Sequence, residues 1–310
     1  MPSVELNGVS LYYTWKSASQ VGPLPVANPT LVFVHGLGSS SSFYASVVPG
    51  LVEAGFSCLA LDTYEMLDID GKCCNSGSCQ SKSGGEVRPI KRLAEDVAAL
   101  MGKLKIAAEH TVLVGHSMGC LIVSELASSR RVAGTVLLGP IRPSSALANV
   151  FQERIKTVSL CPFQENAAAV VVVNLKTIDV CSDGMEAMAD VIPSAATGSK
   201  CSLTQQAFVR ALLMSQTVEG YSASCKAIAE ATTPDYGGIK CPLMVIAGAD
   251  DKTAPVEIAQ DVLNSHLSSW GTRMEDKHIE VLEGVGHWHC VEAAGQITEI
   301  VRTFLGGLSS

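Results

Sequence analysis

Apolar residues in this chain gather into short unbroken runs, each closed by a polar or glycine-rich stretch. Thr30-Leu31-Val32-Phe33-Val34, Ser57-Cys58-Leu59-Ala60-Leu61, Thr111-Val112-Leu113-Val114, Val132 to Leu138 and Leu243-Met244-Val245-Ile246-Ala247 are of this kind. Runs without alternation suit strands buried on both faces, as in a parallel sheet. Between them the period changes. Leu93, Val97, Leu100 and Leu104 recur at helical spacing and predict an amphipathic helix over 90–103. Further helices are predicted over 43–54, 118–128, 256–267 and 291–304, and a last strand over 278–282. Residues 3–15 carry two short strands about Asn7-Gly8, a strong hairpin signal. Strands alternating with helices predict right-handed βαβ units and a mostly parallel sheet.

The rhythm stops at about residue 144 and resumes near 236. The intervening stretch is rich in Ala and Met and holds helical segments over 203–214 and 222–231. The expected organisation is an α/β core from 1–143 and 236–310, with residues 144–235 inserted as a helical cap.

Composition narrows the function classes. With 47% hydrophobic residues in 310, the chain has ample material for a core, which excludes disorder as its main state. The net charge is −8 and no basic block occurs, so nucleic-acid binding is not expected. The longest apolar run, Ala167 to Val173, is far short of the roughly 20 residues a spanning helix needs. The start has neither a basic nor an apolar leader pattern, so no signal peptide is expected. The 11 cysteines are odd in number. Cys58, Cys120 and Cys241 sit in or beside apolar segments, as buried free thiols do. Cys73, Cys74 and Cys79 lie in a Gly/Ser-rich stretch without a histidine nearby to complete a metal site. The expectation is a cytoplasmic protein with no metal site.

Gly115-His116-Ser117-Met118-Gly119 carries the chemistry. It matches Gly-x-Ser-x-Gly and lies between a predicted strand and a predicted helix, the context in which a sharp turn lifts a serine hydroxyl above a sheet edge. Attack on a carbonyl creates an oxyanion that needs prearranged N–H donors. One should be the amide of Met118, and the other that of Leu37 in His35-Gly36-Leu37-Gly38, where Gly36 and Gly38 let the backbone approach a substrate closely. A serine also needs a base. His287, in Gly284-Val285-Gly286-His287-Trp288, follows the last predicted strand and so shares a rim with Ser117. His289 is expected at the surface or behind the base. His35 and His116 are expected to be structural, and His110, His266 and His278 solvated. The acid that orients the imidazole belongs in Gly248-Ala249-Asp250-Asp251, where either carboxylate could serve.

Together these motifs resemble the α/β-hydrolase fold superfamily over residues 3–143 and 236–310. The resemblance implies Asp251, the last place of Gly-x-x-Asp, as the acid. The segment Val218 to Ile228 and the stretch Leu243 to Pro255 are similar to those of 3-oxoadipate enol-lactonases and their relatives. That likeness implies hydrolysis of a small ester or lactone without a cofactor. One departure concerns the loop after the second core strand. The family commonly carries Asp-x-Arg-Gly-x-Gly-x-Ser there, whereas Asp62-Thr63-Tyr64-Glu65-Met66 has no arginine. An enol-lactone dicarboxylate would require a cation, for which Arg210 and Lys226 are the cap candidates. Tyr221, Phe208 and Met214 are expected to line an apolar pocket and Trp288 its entrance. A thioesterase, acyltransferase or C–C hydrolase would use the same groups, and a receptor with slow hydrolysis stands as a further alternative. The oligomeric state has no sequence signal.

Overall fold

A computed structural model describes residues 2–7, 9–18, 28–63, 87–159, 184–267 and 277–308. Its strands form one sheet in the order β1-β2-β4-β3-β5-β6-β7-β8. β1 (Ser3–Leu6) and β2 (Val9–Lys16) pair antiparallel about Asn7, whose φ of 53° is the left-handed conformation a tight hairpin requires. β2 also runs antiparallel to β4 (Cys58–Leu61). β3 (Thr30–Val34), β5 (Thr111–His116), β6 (Gly134–Leu138), β7 (Leu243–Gly248) and β8 (Lys277–Leu282) complete a parallel block with β4. β5, β6 and β7 are buried at every position, which is why their sequences do not alternate.

The flanking helices are α1 (Val48–Glu53), α2 (Ile90–Lys103) and α3 (Met118–Ser129), then, after β7, α8 (Val256–Leu267), α9 (His289–Glu292) and α10 (Ala294–Leu308). α1 packs on α10 and α2 on α3. The single helix expected over 43–54 is instead a 3₁₀ turn at Ser41–Tyr44 followed by α1. Pro49, in the first turn of α1, has no N–H to continue the preceding turn and restarts the helix. The helix expected over 291–304 is likewise split into α9 and α10.

Between β6 and β7 the chain leaves the sheet and forms α4 (Ser145–Ser159), α5 (Met185–Ala195), α6 (Leu203–Met214) and α7 (Val218–Ala229). α4 packs on α7, and α5 on α6. α7 starts earlier than its predicted residue 222 because Thr217 caps it, accepting the Gly220 N–H at 2.9 Å. Among the described residues no helix is long and apolar enough to cross a membrane. The apolar run 167–173 and the Cys73, Cys74 and Cys79 stretch lie outside the described residues.

The register decides where loops meet. Val34 stands opposite Gly115, His116 opposite Leu138, Leu138 opposite Ile246, and Gly248 opposite Leu282. These strands run the same way and end at nearly the same level. The loops that follow β3, β5, β7 and β8 therefore open at one rim.

Candidate active site

Ser117 joins β5 to α3 with φ 52° and ψ −114°. Such a conformation costs a non-glycine residue on the order of 1–3 kcal/mol and persists only where its surroundings impose it. Here they do. A Cβ on Gly119 would overlap the Val34 carbonyl oxygen, so α3 can start this close to β3 only with glycine at that position. The Ser117 N–H donates to the Leu138 carbonyl at 3.0 Å, pinning the turn to β6.

Three side chains from three loops form a continuous chain of hydrogen bonds. Ser117 Oγ lies 2.9 Å from His287 Nε2, and His287 Nδ1 lies 2.7 Å from Asp251 Oδ2. A neutral imidazole meets both partners in one tautomer: Nδ1–H donates to the carboxylate and Nε2 accepts from the hydroxyl. Asp251 Oδ1 accepts the Thr253 and Ala254 N–H groups, both at 2.8 Å, which turns the carboxylate inward. Burial raises the Asp251 carboxyl's affinity for a proton. The His287 and His289 imidazoles and these hydrogen bonds outweigh burial and hold the pKa below the usual carboxylate range. Asp250 points away, partly exposed, and accepts the Ser199 N–H at 2.7 Å. The structure thus brings Asp251, and not Asp250, to His287.

The two expected oxyanion donors border Ser117. Met118 opens α3, where first-turn amides have no intrahelical acceptor. The turn containing Leu37 lies against the serine, since a Cβ on Gly36 would sit 2.8 Å from Ser117 Cβ. His35 braces this turn. Its Nε2 accepts the Thr63 N–H at 2.9 Å, which leaves Nδ1–H to donate to the Gly36 carbonyl at 2.8 Å.

The expected pocket residues divide. Gly38, at φ 71°, faces Leu213 and Tyr221: a Cβ there would lie 2.6 Å from Leu213 Cδ2 and 3.3 Å from Tyr221 Cε2. Tyr221 is fully buried. Phe208 and Met214 are instead on the exposed side of α6, and Leu213 is the side chain of that helix that reaches the Gly38 turn. Trp288 is buried and packs its ring near Phe43 and His116, so it lies in the interior rather than at an entrance. Arg210 pairs with Glu186 and Asp190, and Lys226 lies 3.9 Å from Glu230. Among the described residues no group of three or more His, Cys, Asp or Glu side chains could hold a metal ion.

Of two further histidines, one differs from expectation and the other meets the second of its two alternatives, behind His287. His266, expected in solvent, is fully buried with Nε2 3.2 Å from the Cys241 carbonyl. His289 is fully buried too, and with His116 it brackets one oxygen. His116 Nε2 and His289 Nδ1 lie 2.7 and 2.8 Å from the His287 carbonyl. A carbonyl only accepts, so both nitrogens carry their protons and donate. Burial pushes the His289 pKa down to about 4, and burial likewise lowers those of His35 and His116. An unfolded histidine titrates near 6.5, so the unfolded chain takes up protons below that pH that the folded chain refuses. Stability is accordingly complete above pH 6.5 and lost as pH falls toward about 4, by roughly 3 kcal/mol for His289 alone. Urea unfolding at pH 7.5 and 4.5 should show a marked drop in midpoint; equal midpoints would contradict buried, neutral imidazoles.

Sequence reasoning also passed over Glu292 and residues 196–200, which bind the loop carrying His287. Their contacts are to backbone N–H and C=O groups, which leave no residue pattern to find.

A family model described as the alpha/beta hydrolase family matches residues 31–299. The magnesium-chelatase 30 kDa subunit of Rhodobacter capsulatus is 23% identical over 264 residues, covering 81% of this chain and 83% of that protein. Among solved structures, an enol-lactonase from Burkholderia xenovorans superposes with a TM-score of 0.75 at 23% identity, covering 98% of this chain and all of the other (100%). A thermophilic esterase from Thermogutta terrifontis has a TM-score of 0.73 at 18% identity, covering 99% of this chain and 97% of the other. At these identities the structural likeness speaks for the fold.

Proposed function

The chain belongs to the alpha/beta hydrolase family, and on that premise we propose that it is a serine hydrolase cleaving a small ester or lactone through an acyl-enzyme. The observation that carries the reading is the unbroken hydrogen-bond chain from Ser117 through His287 to Asp251. Ser117 Oγ attacks the carbonyl carbon as His287 Nε2 takes its proton. The amides of Leu37 and Met118 stabilise the resulting oxyanion. Collapse breaks the acyl–oxygen bond, and His287 returns the proton to the leaving oxygen, which stays tethered if the substrate is a lactone. Water then adds to the acyl group, His287 takes its proton, and Ser117 leaves reprotonated.

The helices α4–α7 act in this proposal as a cap over the rim. Support comes from Leu213 and Tyr221, which approach the Gly38 turn, and from the low exposure of Ser117, 6%. The substrate is read as uncharged. Arg210 and Lys226, the cap cations considered for a dicarboxylate, already lie beside carboxylates, and the side chains at the Gly38 turn are apolar or phenolic. The similarity to an enol-lactonase and an esterase favours ester or lactone bonds over other acyl donors.

A fluorophosphonate should label the protein once, at Ser117, as located by peptide mass. Neutral lactones and aryl esters should turn over faster than acyl thioesters in a parallel screen. Labelling elsewhere, or none, would reject the nucleophile.

A further inference from the structure

We infer that Glu292 is a positioning residue for the base: its carboxylate fixes both amides that flank His287 and ties them to the segment joining α5 to α6. The inference rests on reading Ser117 and His287 as nucleophile and base.

Glu292 closes α9, five residues past His287, and its side chain turns back toward the loop. Oε2 accepts the Gly286 N–H at 2.9 Å and Oε1 the Trp288 N–H at 2.9 Å. The residues immediately before and after the base are therefore held by one carboxylate. The third donor comes from elsewhere: the Gly198 N–H reaches Oε2 at 2.7 Å. Charged acceptors make the strongest hydrogen bonds to backbone amides, so these three contacts set the loop's path.

The 196–200 segment adds its own contacts. The His287 N–H donates to the Ala196 carbonyl at 2.7 Å, and the Lys200 N–H to the Gly284 carbonyl at 3.1 Å. Lys200 Nζ donates to the Glu283 carbonyl at 2.8 Å, while the Ser199 N–H is held by Asp250, beside the acid. The two backbones touch. A Cβ on Gly198 would overlap the Gly284 carbonyl oxygen and lie 2.6 Å from the Gly286 nitrogen. One strap thus binds the loop of the base and the loop of the acid, and Glu292 is where it locks to the base. The consequence is mechanical: how α5 and α6 sit on the core sets the aim of the His287 imidazole at Ser117.

The test uses a fluorophosphonate under saturating conditions on the parent, Glu292→Gln and Gly198→Ala. In this reaction a Ser117 Oγ–P bond forms, the P–F bond breaks, fluoride leaves, and the serine proton passes to His287. In Glu292→Gln one charged acceptor becomes an N–H₂ donor facing backbone donors. Gly198→Ala keeps the carboxylate and forces the strap off the loop. Misplacement by about 1 Å can cost 10²-fold in rate, so kinact should fall roughly ten- to a hundredfold in both variants, with KI unchanged. The downfield proton resonance of the His287–Asp251 hydrogen bond should shift or broaden, while far-UV circular dichroism keeps its parent shape. A merely structural role would change stability without moving that resonance or splitting kinact from KI. Parent rates and an unshifted resonance in Glu292→Gln would overturn the inference, as would the same result in Gly198→Ala if Glu292→Gln does not fold. A parent protein labelled anywhere but Ser117 overturns the underlying reading, and this inference with it; a parent labelled at Ser117 beside indifferent variants overturns the inference alone.

Discussion

Replacing Ser117 with Ala is expected to lower turnover of p-nitrophenyl acetate by roughly 10⁶-fold in kcat, the loss typical when a serine nucleophile of this mechanism is removed. The protein should remain folded, since Ala fills the same space and leaves the Ser117 N–H bond to Leu138 in place. Ser117→Gly extends the result. It removes the same hydroxyl, but glycine accepts φ 52° without strain. That variant should be as inactive as Ser117→Ala and, in urea unfolding, more stable than either the alanine variant or the parent by about 1 kcal/mol. Turnover by Ser117→Ala within tenfold of the parent would end the nucleophile assignment. A glycine variant less stable than the alanine variant would show that the turn carries no strain.

Asp251→Asn should lower kcat by about 10⁴-fold. An asparagine can present its N–H₂ to His287 Nδ1, which moves the imidazole proton to Nε2. That nitrogen then donates where it must accept, and Ser117 loses its base. Asp250→Asn should change kcat little, because the Asp250 carboxylate contacts the Ser199 N–H rather than the imidazole and an asparagine oxygen still accepts that bond. Steady-state kinetics on the two neighbouring variants separate the carboxylates cleanly. Equal losses in both would mean that the loop, and not the inward carboxylate, is what matters.

That pair also marks where sequence stopped being sufficient. The strand–turn–helix around Ser117 is legible because it needs specific residue types, small glycines on either side of a serine, after a run too apolar to be anything but a buried strand. The base loop is legible for a similar reason, a histidine just past the last strand of the same sheet. Asp250 and Asp251 are equivalent by spacing. What separates them is the turn from 251 to 254, whose Thr253 and Ala254 amides draw one carboxylate inward, and only the resemblance pointed to Asp251, the one the structure sets beside His287. His266 was misjudged because polarity alone puts a histidine in water; the Cys241 carbonyl that lets it be buried lies on another element. Phe208 and Met214 were misjudged through the phase of α6, since Val209, Leu212 and Leu213 are the residues that helix buries. The break near Pro49, by contrast, was present in the sequence as a proline within the predicted helix.

His287 lies 170 residues after Ser117 along the chain, and this has a consequence during biosynthesis. A polypeptide emerges from the ribosome amino end first, at about 5–20 residues per second. The elbow can take shape against β3 long before the loop that activates it exists. For roughly 10–30 s of translation at that pace, the nascent chain therefore carries a serine with the chemistry of any other alcohol. On the proposed reading, reactivity arrives only with β8 and the loop that follows it.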